Sequence, residues 1–282
     1  MAQPNHQYTL PRNAVESQRL NLQHELISAA TTYVLHPRIE KGLPKEVRIA
    51  DLGTGTGIWM QAVAKNSPAS WQLTGFDMSD GQFPPADKRG RCAYEVLDAL
   101  GTVPPKWQES FDVVHIRYLI AALTGDEWKK VASTAHKLLR SGGFIQWHEA
   151  NFQAIRTVQN VPGASLRAER MLVKLFVEAH NRHGKLLQSD VHGLSQLLQS
   201  SGFENLEEDI ISADRVAEHR LSVSQVGHKA MHFSLRQIVQ QDPRIGLTVE
   251  QVDELARKGE SEIENGDVYT SWDMHIVTGQ KQ

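Results

Sequence analysis

The stretch Val47-Arg-Ile-Ala-Asp-Leu-Gly-Thr-Gly-Thr-Gly-Ile-Trp59 decides the fold of this 282-residue chain. Val47, Ile49 and Leu52 form a short apolar run, which is typical of a buried parallel strand. The glycines that follow predict a tight turn into a helix over residues 58–65, because residues without a Cβ atom let the backbone turn sharply and approach a ligand. The stretch therefore predicts a strand, a turn and a helix at the ligand-binding edge of an α/β sheet.

The spacing of these glycines separates two classes of ligand. A dinucleotide site uses Gly-x-Gly-x-x-Gly, with a pyrophosphate on the helix N-terminus. Here Gly53, Gly55 and Gly57 follow the carboxylate of Asp51 as Gly-x-Gly-x-Gly, and an acid at this point suits a cationic ligand better than a pyrophosphate. No Lys-Ser or Lys-Thr pair follows, which excludes a phosphate-binding P-loop. A turn that serves packing alone and a dinucleotide oxidoreductase are the alternatives.

The stretch resembles motif I of the class I S-adenosylmethionine-dependent methyltransferases, whose cofactor carries a sulfonium and an ammonium. The segment Leu138-Leu-Arg-Ser-Gly-Gly-Phe-Ile145 resembles the post-helix motif of the same class. Near the N-terminus, Tyr8-x-Leu-Pro-Arg12 and Glu16-x-x-Arg19-Leu-x-Leu-Gln23-His24 resemble the signature of fungal secondary-metabolite methyltransferases, relatives of the gliotoxin N-methyltransferase and of the LaeA-like regulators. The resemblance covers residues 5 to 150. It implies S-adenosylmethionine as the cofactor and S-adenosylhomocysteine as its product.

The same resemblance implies that the N-terminal arm and the predicted helix over residues 15–34 lie over the cofactor. Tyr8 is then a candidate cofactor contact. Arg19, Gln23 and His24 are candidate contacts to the cofactor or the substrate, and we assign Gln23 and His24 to the substrate. A helix that only packs on one edge of the sheet is the alternative interpretation.

Further polar residues follow the predicted strands of the sheet. Asp77 ends the strand over residues 71–77, 20 residues beyond Gly57, where an acid can accept both ribose hydroxyls of a nucleoside. The alternative for Asp77 is a cap of the next turn. By resemblance, Asp98 corresponds to the residue that binds the adenine amino group, with Ala99 and Leu100 beside the ring. The predicted cofactor contacts are Tyr8, Asp51, Gly53, Thr54, Gly55, Gly57, Asp77, Met78, Asp98, Ala99, His115 and Arg117.

The fourth predicted strand, residues 111–118, ends in His115-Ile-Arg117-Tyr. Open α/β sheets bind ligands outside the carboxyl ends of their strands, so topology points His115 and Arg117 toward the site. Enzymes that methylate amino groups of nucleic-acid bases or of glutamine often have Asp/Asn-Pro-Pro-Tyr/Phe here. A nucleobase substrate is therefore disfavoured.

His148 and Glu149 end the fifth predicted strand, residues 144–149, and are the predicted catalytic pair. Imidazole titrates near neutral pH, so His148 is a candidate base or orienting group. The alternative is that Trp147 and His148 only form a wall of the pocket.

Beyond residue 150 the sequence predicts helices over residues 166–187 and 190–200, then a sixth strand over 202–211. Residues 215–265 are predicted to form two helices that break at Asp242-Pro243, and a final antiparallel, partly exposed strand follows over 267–279. An insertion of this length suggests a cap over the active site. His228 and His232 are four residues apart on a helix, yet no third ligand is evident, so no metal is predicted. The predicted substrate contacts are Gln23, His24, Trp147, His180, His228 and His232.

Composition narrows the class of protein. The formal net charge is −3 and no block of Lys or Arg occurs, which argues against nucleic acid or a membrane surface as the partner. Cys92 is the single cysteine, so no internal disulfide forms. No apolar signal core and no membrane-spanning run are present, and the expected location is cytoplasmic. The expected partner is a small molecule, with a homodimer as an open alternative.

The sequence thus predicts an α/β protein with a Rossmann-like, mostly parallel seven-stranded sheet and an antiparallel last strand. Residues 1–44 form a helical arm, residues 45–214 and 266–282 the core, and residues 215–265 a helical cap for the substrate. The predicted function is direct in-line methyl transfer to an oxygen or nitrogen of a small secondary metabolite. The alternatives are a LaeA-like regulator that acts through a protein complex, and a methyltransferase-fold enzyme with a non-methyl reaction such as a cyclisation.

Overall fold

One seven-stranded sheet organises the computed structural model, which describes residues 10–184 and 193–282. The strands are β1 (Arg48–Leu52), β2 (Gln72–Asp77), β3 (Cys92–Val96), β4 (Phe111–Arg117), β5 (Leu139–Gln159), β6 (Phe203–Ser212) and β7 (Val268–Lys281). The helices are α1 (Ala14–Thr31), α2 (Pro37–Lys41), α3 (Ile58–Asn66), α4 (Glu127–Leu138), α5 (Arg167–Arg182), α6 (Gly193–Ser200), α7 (Arg220–Gln241) and α8 (Val249–Glu264). The strand order is β3-β2-β1-β4-β5-β7-β6.

The topology confirms the predicted Rossmann-like architecture. Strands β1 to β5 are parallel, and β7 pairs antiparallel with both β5 and β6. The prediction that the last strand is partly exposed is wrong. Met274, Ile276 and Val277 are almost fully buried, because β7 lies inside the sheet between two partner strands.

The apolar run that opens the decisive stretch becomes β1, in the middle of the sheet. Ile49, Ala50 and Leu52 have no exposed surface. Ala50 and Leu52 belong to a core cluster that includes residues of β4, β5, α4 and α6, whereas Ile49 packs with residues of α3 on the other face. A strand covered on both faces has to be apolar on both, which is why its sequence does not alternate.

Strand β5 is much longer than the predicted strand over residues 144–149. It continues to Gln159 because β7 pairs with it from Phe144 to Gln159, with a register shift between Asn151 and Arg156. This extension places Phe152 and Ile155 against the helices that follow the core.

Helices α5, α7 and α8 pack together as one helical layer on the sheet. Leu172 and Phe176 of α5 share a core cluster with Leu235 of α7 and Val252 of α8. The break between α7 and α8 falls at Asp242-Pro243, as predicted. Helix α5 ends at Arg182, and the rest of the helix predicted over residues 166–187 reaches beyond the described residues.

Helix α1 connects the sheet with this helical layer. It contacts α3, α7 and β6, and its Ile27 and Ala30 share a cluster with Trp272 and Met274 of β7. Within residues 10–184 and 193–282, no helix is both long enough and apolar enough to cross a bilayer.

Candidate active site

A large cavity opens at the carboxyl ends of β1, β2 and β4, and we call it the cofactor cavity. Its volume is about 1160 Å³, including the open mouth. Most of the predicted cofactor contacts line it, as open parallel sheets lead one to expect. These residues are Asp51, Gly53, Thr54, Gly55, Asp77, Met78, Asp98, Ala99, His115 and Arg117. Of the two others, Tyr8 lies outside the described residues and Gly57 does not line the cavity.

The glycine turn presents backbone atoms without side chains to the cofactor cavity. Gly53, Gly55 and Gly57 all have positive φ angles, which favour glycine. A Cβ atom on Gly53 would lie 2.7 Å from the side chain of Leu119, and one on Gly57 would overlap the Tyr94 hydroxyl. Gly57 therefore serves the packing of α3 against β3, which corrects its assignment as a cofactor contact.

Two carboxylates border the cavity at the ends of β2 and β3. Asp77 accepts hydrogen bonds from the amides of Gly55, at 3.0 Å, and Ser79, at 3.3 Å. Burial raises the pKa of Asp77 above its usual value. Asp98 accepts a 2.9 Å hydrogen bond from the amide of Leu100. Both side chains are thus oriented by backbone donors, two of them two residues further along the chain and one, Gly55, in the glycine turn.

Asp51 lines the cofactor cavity and also has two hydrogen-bond partners inside the protein. Its carboxylate accepts a hydrogen bond from Thr54 Oγ1, at 2.6 Å, and lies 2.7 Å from His115 Nδ1. The His115 ring stacks on Trp59 at 3.7 Å between centroids. Burial lowers the pKa of His115 although the hydrogen bond to Asp51 opposes the shift, so the ring is neutral and donates through Nδ1. Its buried Nε2 is then an acceptor without a protein partner among the described residues.

Arg117 lies beside this pair and lines the same cavity. Its Nη1 donates to His24 Nδ1 at 3.1 Å. Burial and the Arg117 charge lower the pKa of His24 to about 3, so His24 stays neutral and accepts this hydrogen bond. His24 lines neither this cavity nor the second cavity described below. Its position corrects the predicted substrate contact and makes His24 a support for the guanidinium.

A second cavity of about 670 Å³, which we call the apolar cavity, adjoins the first. Leu20, Gln23 and Tyr118 line both, so the structure places Gln23 where a substrate contact was predicted. Aromatic and aliphatic side chains from β5, α5, α7 and β7 form most of its wall. They are Phe152, Ile155, Phe176, Met231 and Trp272.

Tyr118 stands at the boundary between the two cavities. Its backbone is left-handed, with φ of 55°, which is uncommon for a residue other than glycine. Trp272 Nε1 donates to the Tyr118 hydroxyl at 3.4 Å, and burial raises the pKa of Tyr118 to about 12. The hydroxyl is therefore protonated at neutral pH. The sequence analysis missed this residue, although its position directly after Arg117 at a strand end was a usable signal.

Arg19 of α1 also lines the apolar cavity, and it is only 5% exposed. Its Nε and Nη2 donate to the two oxygens of Glu16, at 2.8 and 2.7 Å. Glu16 itself has no exposed surface. The third nitrogen, Nη1, is buried and has no hydrogen-bond partner among the described residues.

The predicted catalytic pair lies outside both cavities. Glu149 accepts hydrogen bonds from Trp147 Nε1, at 2.8 Å, and from the amides of Leu119 and Ile120. Burial raises the pKa of Glu149 to about 8. The His148 ring packs edge-on against Tyr118, and burial lowers the pKa of His148 well below its usual value. Because β5 continues past residue 149, His148 and Glu149 lie in the middle of a paired strand and not at its end. Their side chains contact the turn after β4 and support it.

The other predicted substrate contacts also lie away from the cavities. Trp147 is fully buried against Trp128, because it faces the core side of β5. The three remaining histidines form hydrogen bonds within the helical layer. The prediction failed because their spacing in the sequence did not reveal which face of each helix packs inward. The contacts are His180 with the Phe176 carbonyl and Ser234, His228 with Glu169, and His232 with Asp253. No cluster of three or more metal-binding side chains occurs within residues 10–184 and 193–282.

The sheet order and the cofactor cavity resemble those of class I S-adenosylmethionine-dependent methyltransferases, as the motifs predicted, and S-adenosylmethionine is the cofactor that this fold and the matched domain imply. Residues 49–143 match a family described as a methyltransferase domain. A solved S-adenosylmethionine-dependent methyltransferase from Thermotoga maritima superposes with a TM-score of 0.50 at 13% identity, covering 95% of this chain and 94% of that one. This likeness shows the fold.

Fungal proteins are among the relatives in sequence. The chain is 29% identical to the methyltransferase grgD of a Penicillium species, over 98% of this chain and 96% of that protein. It is 36% identical to the N-methyltransferase tcpN of Claviceps purpurea, over 51% of this chain and 52% of that protein. It is 25% identical to the secondary metabolism regulator LAE1 of Gibberella fujikuroi, over 97% of this chain and 87% of that protein.

Proposed function

We propose that this protein transfers a methyl group from S-adenosylmethionine to a nitrogen atom of an apolar small molecule bound in the apolar cavity. The observation that carries the proposal is the chemistry of that cavity. Among the described residues, no carboxylate and no histidine lines it. Arg19 is paired with Glu16, and Tyr118 keeps its proton because burial raises its pKa to about 12.

The lack of a base favours nitrogen over oxygen as the acceptor. A phenol becomes a good nucleophile when it loses its proton, and a positioned base normally assists that loss. A neutral amine already has an available lone pair and can release its proton after the transfer. His115 is a neutral imidazole in the neighbouring cofactor cavity, but it does not line the apolar cavity, and its Nδ1 is held by Asp51.

The residues of the cofactor cavity fit S-adenosylmethionine. Asp77 would accept the ribose hydroxyls, and Asp98 would bind the adenine amino group. The buried, unpartnered His115 Nε2 offers an acceptor for the ammonium of the methionine moiety, and Arg117 offers a guanidinium for its carboxylate. When bound, this cofactor supplies an electrophilic methyl group on its sulfonium.

The protein still has to bring the acceptor close to the methyl group of the cofactor and to exclude water from both. Phe152, Phe176 and Trp272 give the apolar cavity walls that leave little room for solvent around an acceptor. Tyr118 and Gln23 line both cavities and so lie where acceptor and cofactor meet. Holding two reactants in this way lowers the activation free energy of a two-substrate reaction by a large part.

The names of relatives support nitrogen as the acceptor, since tcpN, gliN and verN are named N-methyltransferases. The similarity to LAE1 over nearly the whole chain favours a regulatory role as the second candidate. The apolar cavity favours the enzyme, because a small acceptor needs such a volume next to the cofactor.

The test is a methyl-transfer assay with labelled S-adenosylmethionine and a panel of matched apolar amines and phenols, for example aminoindane and hydroxyindane. We expect label on the amines, with the methyl group located on nitrogen by NMR. Asp77→Asn is the control that should reduce the signal. Faster labelling of the phenols would contradict nitrogen transfer. Binding of S-adenosylhomocysteine without labelling of any panel member would contradict the enzyme and favour the regulator.

A further inference from the structure

We infer that Arg19 selects acceptors that carry an uncharged carbonyl oxygen, as in an amide, a lactam or a ketone. This inference rests on the proposed function, because it takes the apolar cavity as the acceptor site. It deepens that function by naming the chemical class of the acceptor. Its observations are the unpartnered nitrogen of Arg19, the charge of Glu16 and the shape of the surrounding walls.

The first observation is a buried donor without an acceptor. Arg19 uses Nε and Nη2 for Glu16, while Nη1 is buried with no partner among the described residues. Buried donors in native proteins are almost always paired, because an unpaired one loses its hydrogen bonds to water without replacement. Arg19 lines the apolar cavity, so an oxygen of a bound molecule can supply the missing acceptor.

The second observation concerns charge. Glu16 accepts two hydrogen bonds from Arg19 and is fully buried, so the pair brings no net charge to the cavity. The other ionisable group on the described walls is Tyr118, which keeps its proton. A carboxylate placed here would be a buried anion close to Glu16 without a cation of its own, which is costly. A carbonyl oxygen accepts the same hydrogen bond at a much smaller cost of desolvation.

The third observation is the shape of the wall that α7 and β7 form in the same cavity. Gly227 of α7 has no side chain, and a Cβ atom there would lie 2.8 Å from the Trp272 ring. The missing side chain lets Trp272 approach the helix closely. With Phe152 and Phe176, this ring gives the cavity several aromatic faces suited to a flat molecule. The acceptor is therefore a flat, uncharged compound with a nitrogen and a carbonyl oxygen.

Ligand binding measures this selectivity without turnover. Protein saturated with S-adenosylhomocysteine would be titrated calorimetrically with oxindole, with indoline, and with indoline carboxylate. Oxindole and indoline share a fused ring and differ by one carbonyl group. We expect oxindole to bind about tenfold more tightly than indoline, as one hydrogen bond to a charged donor implies. We expect the carboxylate to bind most weakly. Equal affinities for oxindole and indoline, or tightest binding of the carboxylate, would overturn the inference.

Variants assign the selectivity to Arg19. Glu16→Gln removes the negative charge and keeps an oxygen for Arg19, so the affinity for indoline carboxylate should rise about tenfold relative to oxindole. Arg19→Met alone would leave the Glu16 carboxylate buried without its partner. We therefore remove the guanidinium donor in the double variant Glu16→Gln with Arg19→Met. That protein should bind oxindole and indoline equally. Glu25→Gln makes the same chemical change at an exposed site of α1 and should alter nothing.

The two proposals fail in different ways. Methylated amines together with equal binding of oxindole and indoline would overturn only the inference on Arg19. Preferred binding of oxindole with transfer to phenols but not to amines would overturn nitrogen transfer and leave the role of Arg19 intact. A preference for oxindole that persists in the double variant would show that Arg19 is a structural residue.

Discussion

The two cavities share three lining residues but are built in opposite ways. The cofactor cavity takes most of its residues from the turns after β1, β2, β3 and β4, a continuous part of the chain between residues 51 and 123. The apolar cavity takes most of its residues from α1, β5, α5, α7 and β7, and extends in sequence from Leu10 to Trp272. Under the proposed function, the cofactor would be held by local backbone turns, whereas the acceptor would be held by packing between distant segments. The predictions below test this division, from the largest effect to the smallest.

The strongest test is the glycine turn of the cofactor cavity. Gly57→Ala places a Cβ atom against the Tyr94 hydroxyl at a φ of 69°. Strain and overlap together should lower the free energy of unfolding by about 3 kcal/mol. Gly90→Ala is the matched control, with a φ of 56° and no atom within 4 Å of the added carbon, and should cost about 1 kcal/mol. Denaturant titration measures both, and equal losses would show that packing on Tyr94 is unimportant.

Asp77→Asn tests the cofactor side without a change of shape. Loss of the charged acceptor should weaken binding of S-adenosylhomocysteine by about 2 kcal/mol, or about thirtyfold in Kd. Asp80→Asn changes an exposed acid nearby and should have no effect. Calorimetric titration decides the matter, and unchanged affinity in a folded Asp77→Asn protein would remove Asp77 from the ribose site.

Gly227→Ala tests the acceptor side. The added carbon would lie 2.8 Å from the Trp272 ring and push it from its position. We expect the KM for an amine acceptor to rise about fivefold, as about 1 kcal/mol of overpacking implies, with no change in the Kd of S-adenosylhomocysteine. Gly193→Ala is a control in α6 with open space around the new carbon. A parallel loss of cofactor affinity would contradict the separation of the two cavities.

Apart from these substitutions, Glu149 predicts a pH dependence of the protein's stability. Burial raises its pKa from 4.5 to about 8, so the folded state binds a proton that the unfolded state releases. The unfolding free energy should therefore fall as pH rises between these values, and level off above them. Glu149→Gln should remove this slope. The measurement is denaturant unfolding across the range, and identical slopes in both proteins would contradict the assigned pKa.

The cofactor half of the site could be predicted because each of its signals is local. The motif from Val47 to Trp59 contains a strand, a turn and a helix start, and the structure places Asp77 and Asp98 at the same edge of the sheet. Even here the sequence could not show that Asp51 is held by Thr54 and His115, since His115 lies on another strand. Pairing of Asp51 with His115 in register is a property of the sheet.

The acceptor half could not be predicted in the same way. His148 and Glu149 were assigned to the site on the expectation that β5 ends beside them, but pairing with β7 extends that strand to Gln159. Trp272 forms part of the cavity wall only because β7 lies next to β5. No sequence feature near Trp272 indicates that β5 is the strand beside it.

The central position of β7 also bears on how the protein is made. Every residue that lines the cofactor cavity is translated before β5, whereas β5 and β6 wait for β7 to join them. Until then the growing chain has open strand edges, which are the usual starting points of aggregation. The described residues that line the cofactor cavity are thus synthesised well before the last strand of the apolar cavity. The edges of β5 and β6 that β7 covers stay open until the segment between β6 and β7 has been synthesised.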